Sequence, residues 1–126
     1  MSKNVIYTEN APKAIGPYVQ AVSVGKMLYT SGQLGIDMST GKLANGIEAQ
    51  THEAMKNLGA ILNSANLSYS DIVKTTIFVK NLADFATVNK IYEGYFDGDY
   101  PARSCVQVAA LPLDGLLEIE AIAADK

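Results

Sequence analysis

The apolar residues of this chain change their spacing four times, and that alternation constrains the fold more than any single motif. In IEAQTHEAMKNLGAILNSANL the residues Ile47, Ala54, Met55, Leu58, Ile61, Leu62 and Ala65 recur at helical spacing, with Glu48, Glu53, Lys56 and Asn57 on the other face. DIVKTTIFVK reverts to strict alternation. Val73, Thr75, Ile77 and Val79 fall on one side, and Lys74, Thr76, Phe78 and Lys80 on the other. DFATVNKIYEGYF resumes a helical stripe of Phe85, Val88, Ile91, Tyr92, Tyr95 and Phe96, which the breaker DGDYP ends.

The flanking segments read as strands and turns. NVIY is a short strand, and TENAPKAIGP, with two prolines and a glycine, is a loop. YVQAVSV and MLYTSGQ surround Gly25 and Lys26 as a hairpin does, and DMSTGKLANG reads as a polar loop. Two strands close the chain, roughly Arg103 to Ala110 and Leu116 to Ala124. The order β-β-β-α-β-α-β-β predicts an α+β sandwich, a six-stranded sheet with two helices on one face.

Two helices leave the second sheet face uncovered. Alternation puts Cys105, Ala109, Leu111 and Ile122 there with Gln107 or the acids, and Phe78 opposite Ile77. Such a face invites a second copy, so a homo-oligomer is expected. At 126 residues, 48% hydrophobic and 18% charged, the chain fits one domain spanning residues 1–126. With one cysteine and one histidine, Cys105 and His52, neither an internal disulfide nor a thiolate or imidazole metal cluster is expected. The net charge of −3 and the lack of a basic cluster disfavour nucleic acid as a partner. No secretory leader or membrane-length apolar run is apparent, so a cytoplasmic protein is expected.

Arg103 stands at the mouth of an otherwise uncharged strand in YPARSCVQVAALP, just after Pro101. Alternation predicts that it shares a face with Cys105 and Gln107, pointing away from the helices, while Ser104, Val106 and Val108 meet them. A guanidinium on a rigid base suits forked binding of a carboxylate or phosphate; a rim arginine in a surface ion pair is the other reading. In LLEIEAIA, Glu118 and Glu120 project from one face about 7 Å apart, as a general acid/base or as solvated edge acids. A simple hairpin between the last two strands would leave Arg103 about 20 Å from Glu118. Either those strands are not neighbours, or the two groups meet across subunits. In TSGQ, Gly32 permits close approach to backbone N–H groups. Cys105 reads as a small apolar filler, His52 as solvated, and Tyr92 and Tyr95 as packing residues.

Five blocks in order, ENAPKAIGPYVQAV, LYTSGQLG, DIVKTTIFVKNLADFATVNKIYEGYF, YPARSCVQVAALP and LEIEAIA, resemble the reactive intermediate deaminase family, its RidA or YjgF branch. The resemblance implies a chorismate-mutase-like fold and a homotrimer with three clefts between subunits. It implies hydrolysis of reactive enamine and imine acids, such as 2-aminoacrylate, 2-iminopropanoate and 2-iminobutanoate, to 2-oxo acids and ammonia. These substrates arise from dehydratases that use pyridoxal phosphate, and the family itself uses no cofactor. Carried over by position, Arg103 binds the substrate carboxylate and Glu118 serves the attacking water or the departing nitrogen. Tyr18, Ser31, Gly32 and Asn89 line the cleft, with Cys105 contributing mainly backbone contacts. DGDY and LPLDGLL depart from the family pattern and bear on cleft access and substrate preference. Two rival readings stand beside this one: cleavage of single-stranded RNA with inhibition of translation, and a regulator that binds small acids without turnover.

Overall fold

A computed structural model describes residues 2–126. The first hairpin region supplies β1 (Asn4–Ile6), β2 (Ala21–Val24), β3 (Met27–Thr30) and β4 (Gln33–Leu34), followed by β5 (Ile36–Asp37) and β6 (Lys42–Leu43). Then come α1 (Ile47–Ser64), β7 (Ile72–Val79), α2 (Phe85–Glu93), β8 (Ala102–Gln107) and β9 (Leu117–Ala124). The main sheet runs β1-β2-β3-β9-β7-β8, the six expected strands, with the two-residue β4 as a seventh beside β9. Among the described residues only β7 and β8 pair in parallel, joined through α2 as a strand-helix-strand crossover. No helix among the described residues is long and apolar enough to cross a membrane.

One apolar cluster fills the space between helices and sheet. Ala54, Met55, Leu58, Ile61 and Leu62 from α1 and Val88 and Tyr92 from α2 pack on Leu28, Ile77, Val79, Leu117, Ile119, Ala121 and Ala123. The expected stripes are thus the core-facing ones, because a helix or strand with one apolar side must bury it against another element.

Four details differ from the expectations. DMSTGKLANG is not an open loop: β5 and β6 pair through it, and Asp37 Oδ1 accepts from Ser39 N at 2.9 Å and Ser39 Oγ at 2.7 Å. That small hairpin folds over the polar side of α1, so Asn57 is buried and donates to the carbonyls of Leu34 at 3.2 Å and Ile36 at 2.9 Å. Val73 is exposed, because an irregularity in the β7–β9 register between Ile72 and Lys74 turns Ile72 inward instead. β8 ends at Gln107, three residues earlier than expected.

The largest correction concerns β8. In a parallel pair, residues in register point to the same face, and Arg103 is paired with Thr75, Cys105 with Ile77 and Gln107 with Val79. Thr75, Ile77 and Val79 are buried under the helices. Arg103 and Cys105 therefore lie on the helix side, and Ser104 and Val106 on the open face, the reverse of the sequence expectation. Both sides of β8 carry small or apolar residues, so alternation alone left the direction to be set by the neighbouring strand.

The open face remains substantially apolar. Val22, Tyr29 and Ile122 align across β2, β3 and β9, and Phe78 aligns with Val106 and Glu118 across β7, β8 and β9. Tyr29 is 43% exposed and Val106 45%. These are large apolar groups left in water in register with one another, which is the condition under which a second chain is expected to cover them.

Candidate active site

The crossover that makes β8 parallel also sets the environment of Arg103. Phe85, Asn89 and Tyr92 stand four and then three residues apart on α2 and so share one helix face. That face lies over the guanidinium. Arg103 donates through Nη1 to Asn89 Oδ1 at 2.6 Å, and its Cζ stands 5.5 Å from the Phe85 ring centroid and 5.1 Å from that of Tyr92. Tyr92 is itself fixed by a buried hydrogen bond between its hydroxyl and Thr75 Oγ1 at 2.7 Å, and burial pushes its phenol pKa up. Among the described residues no carboxylate pairs with Arg103, which rules out the surface ion-pair reading for the isolated chain. Arg103 also lines a cavity of about 450 Å3 with Asn89, Tyr92, Glu93, Tyr100 and Pro101. Cys105, next on the same side of the strand, is partly buried against the core; burial raises its thiol pKa, and the nearby Arg103 charge opposes that shift.

A second arrangement forms on the other face, around Glu118. β4 and β7 flank this part of β9, with Leu34 and Phe78 in register with Glu118. Gly32 lies against its side chain so closely that a Cβ there would stand 2.6 Å from Glu118 Cδ. A side chain at position 32 would therefore displace the carboxyl group from this place. Ser31 ties this turn to the preceding segment, donating Oγ to the Val19 carbonyl at 2.6 Å and its N–H to the Gln20 carbonyl at 2.8 Å. The buried Gln20 side chain in turn donates to the Thr8 carbonyl at 3.0 Å and the Pro12 carbonyl at 2.9 Å, holding the proline-rich loop as a wall. Tyr18, Ile15, Leu113, Gly32 and Glu118 line the resulting groove of about 450 Å3. Burial, and then the like charge of Glu120, push the Glu118 carboxyl pKa above the ordinary range.

The site residues expected from sequence thus fall into two groups. Arg103, Asn89 and Cys105 collect on the helix side of the edge strand, while Tyr18, Gly32 and Glu118 collect on the open side of the sheet, with Ser31 bracing the latter. β8 and β9 are not neighbours, since β7 lies between them. Within one chain the arginine and the glutamate face opposite ways. One group holds a guanidinium and the other a carboxyl, so the two carry complementary chemistry on opposite faces. Phe85 and Tyr92, expected as part of the apolar stripe of α2, share a face with Asn89, and that face holds the guanidinium as well as packing. His52, expected to be solvated, is exposed but pairs through Nδ1 with the Tyr95 hydroxyl at 2.8 Å.

The raised pKa of Glu118 makes a testable statement about stability. The folded chain holds this proton more tightly than the unfolded chain, so ionisation of Glu118 opposes folding. That cost is absent below the unfolded value of about 4.3, grows as pH rises through the raised folded value, and is constant above it. Glu118→Gln removes it. The melting temperature of Glu118→Gln minus that of the parent is expected to grow as pH rises from about 4 towards about 7. A difference that stays flat, or shrinks, over that range contradicts the burial of this carboxyl.

Known proteins share this sequence pattern and fold. The family model described as Endoribonuclease L-PSP matches residues 8–125. The 2-iminobutanoate/2-iminopropanoate deaminase of Salmonella typhimurium is 55% identical over 126 residues, covering 98% of each chain. The crystal structure of the Escherichia coli YjgF gene product superposes with a TM-score of 0.94 at 51% identity, over 98% of this chain and 99% of that one. A crystal structure of Escherichia coli TdcF with bound serine gives a TM-score of 0.94 at 48% identity, over 98% and 99% of the two chains. With a family model matching almost end to end, and more than half the residues shared with a full-length relative, the chain belongs to the reactive intermediate deaminase family, the RidA or YjgF branch of the Endoribonuclease L-PSP group.

Proposed function

We propose that this chain, folding as one domain over residues 1–126, hydrolyses small reactive imino acids, 2-iminopropanoate and 2-iminobutanoate and their enamine tautomers such as 2-aminoacrylate, to 2-oxo acids and ammonia. The observation that carries the reading is Arg103: a guanidinium clamped between two rings and one amide, without a carboxylate of its own, and open to a cavity. That is a receptor for a small organic acid in need of its counter-ion. The activity named for the Salmonella typhimurium relative supplies the class of substrate, and the serine bound to TdcF is an acid of the same size.

The opposed half-sites call for a second copy. In a homotrimer the open sheet face of one subunit is covered by the next, which sets Arg103 of one copy against Glu118, Gly32 and Tyr18 of its neighbour. Arg103 fixes the carboxylate. Glu118, protonated to higher pH than an ordinary glutamate, protonates the imine nitrogen as water adds to the C=N carbon. The Glu118 carboxylate takes a proton from the added water and passes it to the amino group; the C–N bond breaks, ammonia leaves, and the carboxylate takes the remaining hydroxyl proton, leaving a 2-oxo acid and Glu118 protonated as at the start. Tyr18, Asn89 and Ser31 shape or brace the cleft, and the backbone of Gly32 and Cys105 lies within reach of the bound acid. No cofactor is required, because imines already hydrolyse in water and fixing the acid beside one water supplies the acceleration. The upstream chemistry is amino-acid dehydration by pyridoxal phosphate enzymes, in the cytoplasm.

The test follows imine lifetime. An amino-acid dehydratase or oxidase generates the imine, and residual imine is trapped as its semicarbazone, with and without the protein. Shorter lifetimes with the protein, lost in Glu118→Gln by about tenfold or more, support catalysis. Retained acid binding without acceleration would make the chain a regulator. The family description keeps an RNA reading in view, but the net charge of −3 argues against it. Cleavage of single-stranded RNA that co-purifies with the protein and survives Arg103→Ala would favour that reading instead.

A further inference from the structure

The LPLDG segment, residues 111–115, contains a glycine but does not use it where the backbone turns left-handed. Leu113 has φ 59° and Asp114 φ 58°, while Gly115 has an ordinary φ of −60°. Two successive side-chain-bearing residues in this region form an uncommon arrangement, which persists only where the surroundings hold it. The surroundings do hold it. Asp114 N donates to the Leu111 carbonyl at 3.1 Å, Gly115 N to the Pro112 carbonyl at 3.0 Å, and Lys80 Nζ to Asp114 Oδ1 at 2.7 Å.

The outcome of this conformation is the position of one side chain. Leu113 is 65% exposed, yet it lines the same groove as Tyr18, Ile15, Gly32 and Glu118. An apolar group is thus held in water at the rim of the groove that contains the acid, in a backbone conformation that favours glycine. Nothing in the packing of the core calls for leucine here. What it supplies is a wall.

We propose that Leu113 is a specificity-determining residue: it limits the length of the imino-acid side chain that can lie beside Glu118, and so favours the three- and four-carbon frames of small imines over branched or aromatic ones. This rests on the deaminase reading given above. Because Leu113 already occupies a conformation natural to glycine, Leu113→Gly removes the wall while relieving the backbone, and its melting temperature is expected to equal or exceed that of the parent.

The experiment measures kcat/KM for the imine made from leucine and for the imine made from alanine, each generated by an amino-acid oxidase, and takes their ratio. In Leu113→Gly the ratio is expected to rise about tenfold, the discrimination that a few methylenes of apolar wall support. Leu113→Phe is expected to lower it. A ratio within about twofold of the parent's in both variants overturns the proposal while leaving the deaminase reading standing. If the parent protein accelerates neither imine, both fall together.

Discussion

Arg103→Ala is expected to lower kcat/KM for 2-iminopropanoate by roughly two to three orders of magnitude, with the melting temperature nearly unchanged. Removing one partner of a forked, partly desolvated charge pair costs about 3 to 4 kcal/mol, and each 1.4 kcal/mol is about tenfold. The fold has little stake in the guanidinium, since it contributes one bond to Asn89 and two ring contacts at an edge strand. Arg103→Lys should recover little, because an ammonium lacks both the fork and the flat face that Phe85 and Tyr92 hold. The same variant tests whether the site is shared. Arg103→Ala chains carry an intact Glu118, and Glu118→Gln chains an intact Arg103, so unfolding and refolding an equal mixture should restore active pairings at about a quarter of the interfaces. A mixture as inactive as its parts would place the two groups in separate sites. Wild-type turnover by Arg103→Ala alone would remove Arg103 from the chemistry.

Gly35→Ala should be the most damaging of the conservative changes to stability. Gly35 is buried where the strand segment passes α1, and a Cβ there would lie 2.5 Å from Gln50 Cα and 2.6 Å from Gln50 Cβ, and would collide with the Gln50 carbonyl oxygen. Backbone cannot step aside as a long side chain can. Relief requires moving α1 away from β4, which loosens the bonds of Gln50 to the Ala44 carbonyl at 3.0 Å and the Leu116 N–H at 2.9 Å. Overpacking of this kind costs about 3 kcal/mol, or about 10 °C in melting temperature for a chain of this size. A loss under about 3 °C would mean that helix and strand approach less closely than described. Leu116 leads directly into β9, so a surviving Gly35→Ala protein should also turn over imines more slowly, through displacement of Glu118.

The two expectations differ in how visible they were in the sequence. Arg103 drew notice because a charged residue after a proline stood out in an uncharged strand. Gly35 did not, because a glycine's requirement depends on what passes next to it, here a helix turn fifteen residues further on. Leu113 and Asp114 were equally silent: no pattern marks a leucine as left-handed when a glycine stands two positions away. Phe85, Asn89 and Tyr92, in contrast, are legible as one helix face from their spacing; that this face covers Arg103 depends on the direction of β8, which the spacing does not set.

The sequence by itself determined the main helices and strands and most of the core. The period of the apolar residues selects helix or strand locally, and the apolar side must be buried, so α1, β7, α2 and β9 follow from composition along the chain. Only the tertiary structure decided which way β8 faces. Alternation defines two sides of a strand but ranks them by polarity, and Arg103 with Cys105 against Ser104 with Val106 offers no clear ranking. The parallel register with β7 settled it, placing Arg103 beneath α2 and leaving Glu118 on the opposite face. The separation of the two groups is a property of strand order, which depends on contacts between residues far apart in the chain and is therefore absent from any local reading of it.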